Sequence, residues 1–278
     1  MRSNLRTRVM TALVLAAVVL GTLATGSTPL WAVLVTCFCA AAAWEFARLS
    51  VTASRLQKII STLILAALVS IFALVIFGVI PEWSTILWPF LLLTAAFWLF
   101  VVPLQLSRRS IALSSSISTL TLPITVGAGW LCAVLLQRAG ARYLLAVVVI
   151  TVVADVAGYF VGRAFGRVKL APSISPGKTR EGAAGGVLAA ALWAILMFNV
   201  LDLGVGFFAM LGAAFAGAFL GVSAVMGDLW ESQLKRQAGA KDSSQLLPGH
   251  GGVLDRIDAQ LAVLPLATVL LAVVKALW

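Results

Sequence analysis

The sequence predicts an all-α, polytopic membrane protein with about nine transmembrane helices. Of its 278 residues, 62% are hydrophobic and 11% are charged, and the mean hydropathy is +1.07. A soluble domain keeps roughly a quarter of its residues charged, so a surface this apolar needs lipid as its solvent. Apolar runs of about 20 residues, long enough to cross a bilayer as a helix, recur along the chain.

Each apolar run is taken as one helix. The first run follows a basic stretch and resembles a signal peptide, but a second run begins almost at once, which favours an uncleaved helix. Windows of about 20 residues give helices over 9–25, 30–47, 59–80, 86–106, 117–137, 143–162, 183–201, 206–226 and 259–278.

The basic residues lie in short clusters between these runs and predict the orientation of the helices. If the amino terminus is cytoplasmic, only Arg138, Arg142 and Lys275 of the 20 Lys and Arg residues fall outside. This bias places the two long polar stretches, 163–181 and 227–258, on the cytoplasmic face.

The net charge of +10 fits anionic headgroups and phosphates as partners, and we expect no nucleic-acid partner. We divide the chain into N-terminal transmembrane helices over 1–110 and a C-terminal transmembrane region over 111–278, which carries both polar stretches and is the predicted functional region. An integral, multi-pass location in a bacterial inner membrane, with these polar stretches facing the cytoplasm, fits this organisation.

The stretch 227–258 holds half of the ten acidic residues and the single histidine. Asp228, Asp255 and Asp258 fall at predicted helix ends near the bilayer, where an isolated carboxylate is costly unless a cation compensates it. Asp255 and Asp258 are three residues apart and share one helix face. Hard oxygen ligands predict a Mg²⁺ site, with a second cation as an option, whereas capping of the helix is the alternative reading.

The same stretch carries cations and a glycine turn that suit a polyphosphate. Basic side chains neutralise phosphate oxygens, and glycines let backbone amides approach an anion. Anchoring to the membrane surface and a structural role for the histidine are the alternatives. The candidate residues are Lys235, Arg236, Lys241, Arg256, His250, Gly251 and Gly252.

A second polar group lies between Asp155 and Glu181. Asp155 is an acid inside a predicted membrane helix, which indicates function, while a basic membrane-anchoring loop is the alternative. Side chains suited to phosphate or ribose follow it at Ser175, Lys178, Thr179 and Arg180.

Both segments resemble the CDP-diacylglycerol synthase (phosphatidate cytidylyltransferase) family. A D-x2-G-Y-x2-G-R-x-F-G block begins at Asp155 and an S-P-x-K-T-x-E-G block at Ser175, although Gly177 stands where the family favours a more polar residue. Trp44-Glu45 matches the amino-terminal half of the family only weakly. The signature after the eighth run matches without a gap at Ser232, Leu234, Lys235, Arg236, Lys241, Asp242, Ser244, Leu247, Pro248, His250, Gly251, Gly252, Asp255, Arg256 and Asp258.

The resemblance implies that CTP and phosphatidic acid react to give CDP-diacylglycerol and pyrophosphate, by metal-assisted attack of the lipid phosphate on the α-phosphorus. Membrane lipids and a homodimer are further implied partners. The implied catalytic residues are Asp228, Lys235, Arg236, Asp255 and Asp258, of which the three acids would bind the metal. The implied substrate-binding residues are Ser175, Lys178, Thr179, Arg180, Lys241, His250, Gly251, Gly252 and Arg256.

Two other functions are weighed against this one. A cytidylyltransferase that acts on another lipid phosphate fits the same residues, because lipid-chain specificity resides in apolar helix walls. A membrane transporter also places acids inside helices, but here the polar residues gather towards one face and no inverted repeat is evident.

Overall fold

A computed structural model of the protein describes residues 2–79, 83–107, 115–204 and 206–275. Positions 80, 108–114 and 276–278, at which some predicted helices and the basic pair Arg108 and Arg109 fall, lie outside the described residues. The elements are α1 (Arg2–Ala24), α2 (Thr28–Leu49), α3 (Arg55–Ile76), α4 (Trp83–Ala96), a π-helical turn (Phe97–Val101), α5 (Val102–Ser107), α6 (Ser115–Ala139), α7 (Ala141–Phe165), β1 (Lys169–Ala171), β2 (Ser175–Thr179), α8 (Arg180–Val200), α9 (Phe207–Gln237) and α10 (Leu254–Lys275).

Within these described ranges, nine helical spans are long and apolar enough to cross a membrane. The predicted fold class, an all-α polytopic membrane protein, is therefore confirmed. The fourth span is continuous through α4, the π-helical turn and α5. The protein is an integral, multi-pass membrane protein.

Serine side chains set the starts of two of the first helices. Ser27 Oγ accepts a hydrogen bond from Leu30 N at the start of α2. Ser54 and Gln57 form a reciprocal capping box at the start of α3, with contacts of 2.8 and 3.2 Å. These caps satisfy amide groups that the first turn of a helix leaves without partners, so the polar connections between spans also define their ends.

The first of two compact units contains α1, α2, α3, α6 and residues 234–257. Two indoles join α2 to α6. Trp31 Nε1 donates to the carbonyl of Ala133 at 3.0 Å, and Trp130 Nε1 donates to Thr36 Oγ1 at 2.8 Å. Buried indole N–H groups need such partners, so these bonds fix how the two helices pack.

The second unit contains α4, α5, α7, the β1–β2 hairpin, α8, α9 as far as Gln233, and α10 from Asp258. Trp98 and Trp230 pack edge to face, with ring centroids 5.5 Å apart. Trp230 Nε1 also donates to Gln105 Oε1 at 3.1 Å. These contacts hold the polar end of α9 against the π-helical turn and α5.

Helices α7 and α8 approach each other through glycines. A Cβ atom added to Gly182 would lie 2.7 Å from the carbonyl oxygen of Gly158, and one added to Gly186 would lie 2.6 Å from that of Ala154. Both neighbours are backbone atoms, which cannot rotate away. The small residues therefore permit the close helix packing that membrane proteins commonly use.

We expect Gly182→Val to lower the midpoint of thermal unfolding in detergent, because forcing extra carbons into a packed site costs about 1–3 kcal/mol. The matched control is Gly177→Val, since a Cβ at Gly177 meets no atom within 4 Å. Equal midpoints for the two variants, measured by intrinsic fluorescence, would contradict the close packing of α7 and α8.

The structure differs from the sequence prediction most clearly in the two polar stretches, and α1 and α10 also begin earlier than predicted, at Arg2 and Leu254. The span predicted over 206–226 continues as α9 to Gln237, so the first third of the polar stretch 227–258 is helical. The stretch 163–181 was predicted as a loop, but it contains the antiparallel strands β1 and β2. A hydropathy window detects only apolar turns, and these short strands lack an alternating pattern.

Candidate active site

Asp255 lies in the first turn of α10, as predicted, and both of its carboxylate oxygens are engaged. Oδ1 accepts from Lys235 Nζ at 2.7 Å. Oδ2 accepts from Ser243 N at 2.9 Å and from Gly252 N at 2.8 Å, and the Ser243 hydroxyl oxygen lies 2.9 Å from it. The Asp255 side chain is only 5% exposed, so its charge depends on these donors and on the lysine.

Asp228 forms a comparable pair in the second unit. Its Oδ2 atom lies 2.7 Å from Lys178 Nζ, and its Oδ1 atom accepts from Ser232 Oγ at 3.3 Å. Asp228 lies on α9 and Lys178 on β2, so the hairpin brings the ammonium group to the carboxylate. Both side chains are about one quarter exposed, at 24% and 26%, so this pair can exchange partners more readily than a buried one.

A cavity of about 440 Å³ opens beside this pair, between α7, β2 and α8. Its polar wall includes Asp155, Arg163, Ser175 and Lys178, while the glycines of α7 and α8 leave room at its base. A partly apolar recess with a few convergent polar groups is the usual form of a small-molecule site. The structure therefore brings polar residues from both ends of the second sequence segment to one cavity.

The neighbouring residues Thr179, Arg180 and Glu181 have local structural contacts. Thr179 Oγ1 accepts from Gly182 N at 3.1 Å and caps α8, although Thr179 also lines the cavity. The Glu181 carboxylate accepts from Arg167 N at 3.0 Å and from Val168 N at 3.2 Å, which closes the base of the hairpin. The Arg180 side chain is exposed. Substrate binding by Thr179 and Arg180 stays a prediction.

The predicted glycine turn is present between Leu247 and Gly252. Leu247 N donates to the carbonyl of Gly251 at 2.8 Å, and Gly251 has a φ of 82°, which favours glycine. Gly252 N is engaged by Asp255, so this amide serves the protein's own carboxylate. Within the described part of the chain, His250 Nδ1 is buried and has no hydrogen-bond partner.

The remaining predicted cations face solvent. Arg236, Lys241 and Arg256 are exposed, and Arg236 Nη1 donates to the carbonyl of Ala240 at 3.2 Å. Lys241 lies with Arg48 along a shallow polar recess. Exposed guanidinium and ammonium groups at a polar face are available to anionic ligands or headgroups.

The metal prediction named Asp228, Asp255 and Asp258 together. In neither unit do the described residues gather three or more His, Cys, Asp or Glu side chains closely enough to hold a metal ion. Magnesium commonly takes one or two carboxylates and completes its shell with water and substrate phosphates. Each acid therefore stays a predicted metal ligand individually, and the described residues form no preformed site of three carboxylates.

Sequence reasoning assigned no role to Glu45 or Ser243. Glu45 is completely buried in α2 and accepts hydrogen bonds from the segment that leads into α10. Ser243 contacts both Glu45 and Asp255. The available signal was an acid within an apolar helix, which is costly without partners.

The sequence matches a known protein family over most of its length and individual known proteins over about half of it. A model of the cytidylyltransferase family matches residues 6–274. The phosphatidate cytidylyltransferases of Haemophilus influenzae and Bacillus subtilis are 46% identical over 132 residues and 42% identical over 137 residues. That of Pseudomonas aeruginosa is 45% identical over 128 residues.

These three matches cover 45%, 49% and 46% of this chain and 44%, 50% and 46% of the respective relatives. The matched stretch thus spans about half the length of each relative, whereas the family match extends over nearly all of the present sequence. Together with the nine helical spans and the paired lysines and aspartates, that match settles the classification. The chain belongs to the cytidylyltransferase family.

Proposed function

We propose that the protein is a phosphatidate cytidylyltransferase, which joins CTP to phosphatidic acid. The observation that carries this proposal is the pair of close lysine–aspartate contacts, Lys178–Asp228 and Lys235–Asp255, in which both lysines and Asp255 lie in the family-like motifs. Each pair offers a carboxylate for a cation and an ammonium group for a phosphate. The family match and the names of the relatives support the same reaction.

The carboxylates fit a magnesium ion. Asp255 Oδ1 and Asp228 Oδ2 are hard oxygen ligands, and each already has a cation, the lysine ammonium, at 2.7 Å. A bound Mg²⁺ would draw charge from the phosphates of CTP and orient its α-phosphorus. Asp258 lies on the same helix as Asp255, and we propose it as a further ligand.

The lysines would then change partner. When CTP and Mg²⁺ bind, each lysine can turn from its carboxylate to a phosphate oxygen. The phosphate then supplies the negative charge that the lysine loses, and the cation supplies the positive charge that the carboxylate loses. Arg236, Lys241 and Arg256 are exposed and add positive charge for the polyphosphate or the lipid headgroup. Neutralised phosphates repel the incoming lipid phosphate less.

The reaction needs no nucleophile from the protein. An ionised oxygen of phosphatidic acid attacks the α-phosphorus of CTP, a new P–O bond forms, and the bond to the β-phosphate oxygen breaks to release pyrophosphate. Phosphoryl-type transfer depends chiefly on alignment and charge neutralisation. The paired lysines and aspartates can supply both.

The lipid substrate is tested by competition between phosphates. Purified protein is given CTP and Mg²⁺ with either phosphatidic acid or a polyprenyl phosphate, and the CDP-lipid product is identified by mass spectrometry. We expect a kcat/KM at least about 100-fold higher for phosphatidic acid, a discrimination of about 2.7 kcal/mol. A preference for the polyprenyl phosphate would support a cytidylyltransferase of another lipid phosphate.

Lys235 and Arg256 are expected to differ in their contributions. Lys235→Ala removes the partner of a nearly buried carboxylate, so we expect kcat to fall by about 100-fold or more. Arg256→Ala removes an exposed charge, and we expect mainly a severalfold rise in the KM for CTP or phosphatidic acid. Steady-state kinetics in mixed micelles test both variants. Unchanged kcat and KM in both would mean that these basic residues only set the orientation of the helices in the membrane.

We further propose an inner-membrane location with the site facing the cytoplasm, where CTP is available. The distribution of Lys and Arg supports this orientation. Single cysteines introduced at Gly177 and Asp202 of a cysteine-free variant, labelled with a membrane-impermeant maleimide in intact bacteria, provide the test. We expect labelling at position 202 only, and labelling at position 177 would reverse the orientation.

A further inference from the structure

Glu45 is an acid without an assigned role and lies fully inside the first unit. Its side chain is 0% exposed within the apolar helix α2. The carboxylate accepts from Ser243 Oγ at 3.0 Å, from Val253 N at 2.9 Å and from Leu254 N at 2.6 Å. It also accepts from Ser244 Oγ. All four donors lie about 200 residues away along the chain, in the segment that enters α10.

These donors explain how a charged group is tolerated there. A buried carboxylate is strongly unfavourable unless hydrogen bonds replace its hydration. Val253 N and Leu254 N lie at the start of α10, where amide groups lack helical partners and the helix dipole favours a negative charge. Glu45 and the start of α10 therefore stabilise each other.

Ser243 connects this buried acid to the candidate metal ligand. Its hydroxyl lies 3.0 Å from Glu45 Oε2 and 2.9 Å from Asp255 Oδ2, and its backbone N–H also donates to Asp255 Oδ2. Gly252 packs tightly against Ser243 and Glu45, since a Cβ atom at position 252 would overlap Ser243 Oγ and Glu45 Oε1. Ser244 donates to Glu45 as well, but no bond from Ser244 to Asp255 is present.

Helix α1 contacts the same segment. Arg8 Nε donates to the carbonyl of Gly249, and Thr11 Oγ1 donates to that of Pro248, both at 2.9 Å. The segment from Ser243 to Leu254 is thus attached to two N-terminal helices that carry little of the family's signature. Its conformation depends on them.

We propose that Glu45 is a positioning residue for the cytidylyl transfer, acting on Asp255 through Ser243. This inference rests on the proposed function. Glu45 fixes the Ser243 hydroxyl and the start of α10, and together they hold Asp255 Oδ2, so that Oδ1 is presented to Lys235 or to a cation in a defined orientation. Glu45 itself contacts neither substrate nor metal.

The first test is Glu45→Gln, which keeps the size of the side chain and removes its charge. We expect kcat to fall by about 30-fold or more, and the Mg²⁺ concentration for half-maximal rate to rise by about 10-fold, because an ill-held Asp255 binds the cation poorly. The purified variant is checked for a monodisperse profile in detergent. A purely structural role predicts a lower unfolding midpoint with an unchanged Mg²⁺ dependence.

The matched variants Ser243→Ala and Ser244→Ala test whether Glu45 acts on Asp255 through Ser243, even if Glu45→Gln does not fold. Each variant removes one hydroxyl donor to Glu45, but only Ser243→Ala also removes a donor to Asp255. We expect both to lower the unfolding midpoint similarly, while Ser243→Ala alone raises the Mg²⁺ requirement severalfold. Equal Mg²⁺ requirements in the two variants would overturn the proposal.

The turnover of the wild-type protein distinguishes a failure of the positioning role of Glu45 from a failure of the proposed function. Wild-type protein that forms no CDP-lipid from CTP and phosphatidic acid refutes the proposed function and, with it, the role of Glu45. Active wild-type protein with the expected contrast between the two serine variants supports both. Active wild-type protein without that contrast refutes the positioning role alone.

Discussion

Asp255→Asn is expected to lower the rate of CDP-diacylglycerol formation by about 1,000-fold or more while the protein still inserts and purifies. A neutral amide binds a divalent cation poorly, and it removes the carboxylate charge that lies 2.7 Å from Lys235 Nζ, whose side chain is only 12% exposed. Because the amide keeps only one oxygen, its NH₂ group must face either Lys235 Nζ or the backbone N–H groups of Ser243 and Gly252, all of which are donors themselves. The rate is measured with labelled CTP in mixed micelles.

The control for this substitution is Asp202→Asn. Asp202 is an exposed acid in the connection between α8 and α9, with a φ of 52° that asparagine also tolerates. We expect its turnover to match the wild type within about twofold, as is usual for surface changes. Normal turnover of a folded Asp255→Asn protein would remove Asp255 from the metal site.

Asp228→Asn is expected to cost about 100-fold or more in kcat. Asp228 is more exposed than Asp255, so water relieves part of the loss and the predicted effect is smaller. The same change frees Lys178, which would then hold a phosphate without competition. We therefore expect the apparent affinity for CTP without Mg²⁺ to stay the same or to increase, measured by equilibrium binding.

A fall in CTP affinity with an unchanged kcat would contradict this account, because it would make Asp228 a uniform binding residue with no role of its own in the transfer. The Asp202→Asn variant again serves as the control. Since Asp228 and Asp255 belong to different compact units, each substitution tests its own lysine–aspartate pair.

The spans could be predicted from the sequence because membrane crossing depends on local composition. A helix in lipid forms all its backbone hydrogen bonds within itself. An apolar run of sufficient length is therefore nearly enough to predict a membrane-spanning helix. The extension of α9 to Gln237 was missed since its last turns mix buried Trp230 and Leu234 with polar residues, which a hydropathy window scores as a loop. The β1–β2 hairpin was missed because its strands are short and lack an alternating apolar pattern.

The chemical character of the site was also predictable, but its pairings were not. Acids and cations concentrated in polar stretches indicated phosphate and metal chemistry. Their partners depend on tertiary structure: the β2 strand carries Lys178 to Asp228, and the loop after α9 folds back to place Lys235 beside Asp255. Glu45 illustrates the limit, because the hydrogen-bond donors to its carboxylate lie about 200 residues further along the chain.

The most direct test of the proposed reaction traces where the α-phosphate and the γ-phosphate of CTP go. Purified protein is incubated with phosphatidic acid, Mg²⁺ and CTP labelled either at the α-phosphate or at the γ-phosphate, and the lipid fraction is counted. The account predicts label in the lipid from α-labelled CTP alone, with one pyrophosphate released for each CDP-lipid formed. Lipid labelled from the γ-phosphate, or pyrophosphate released without CDP-lipid, would contradict it.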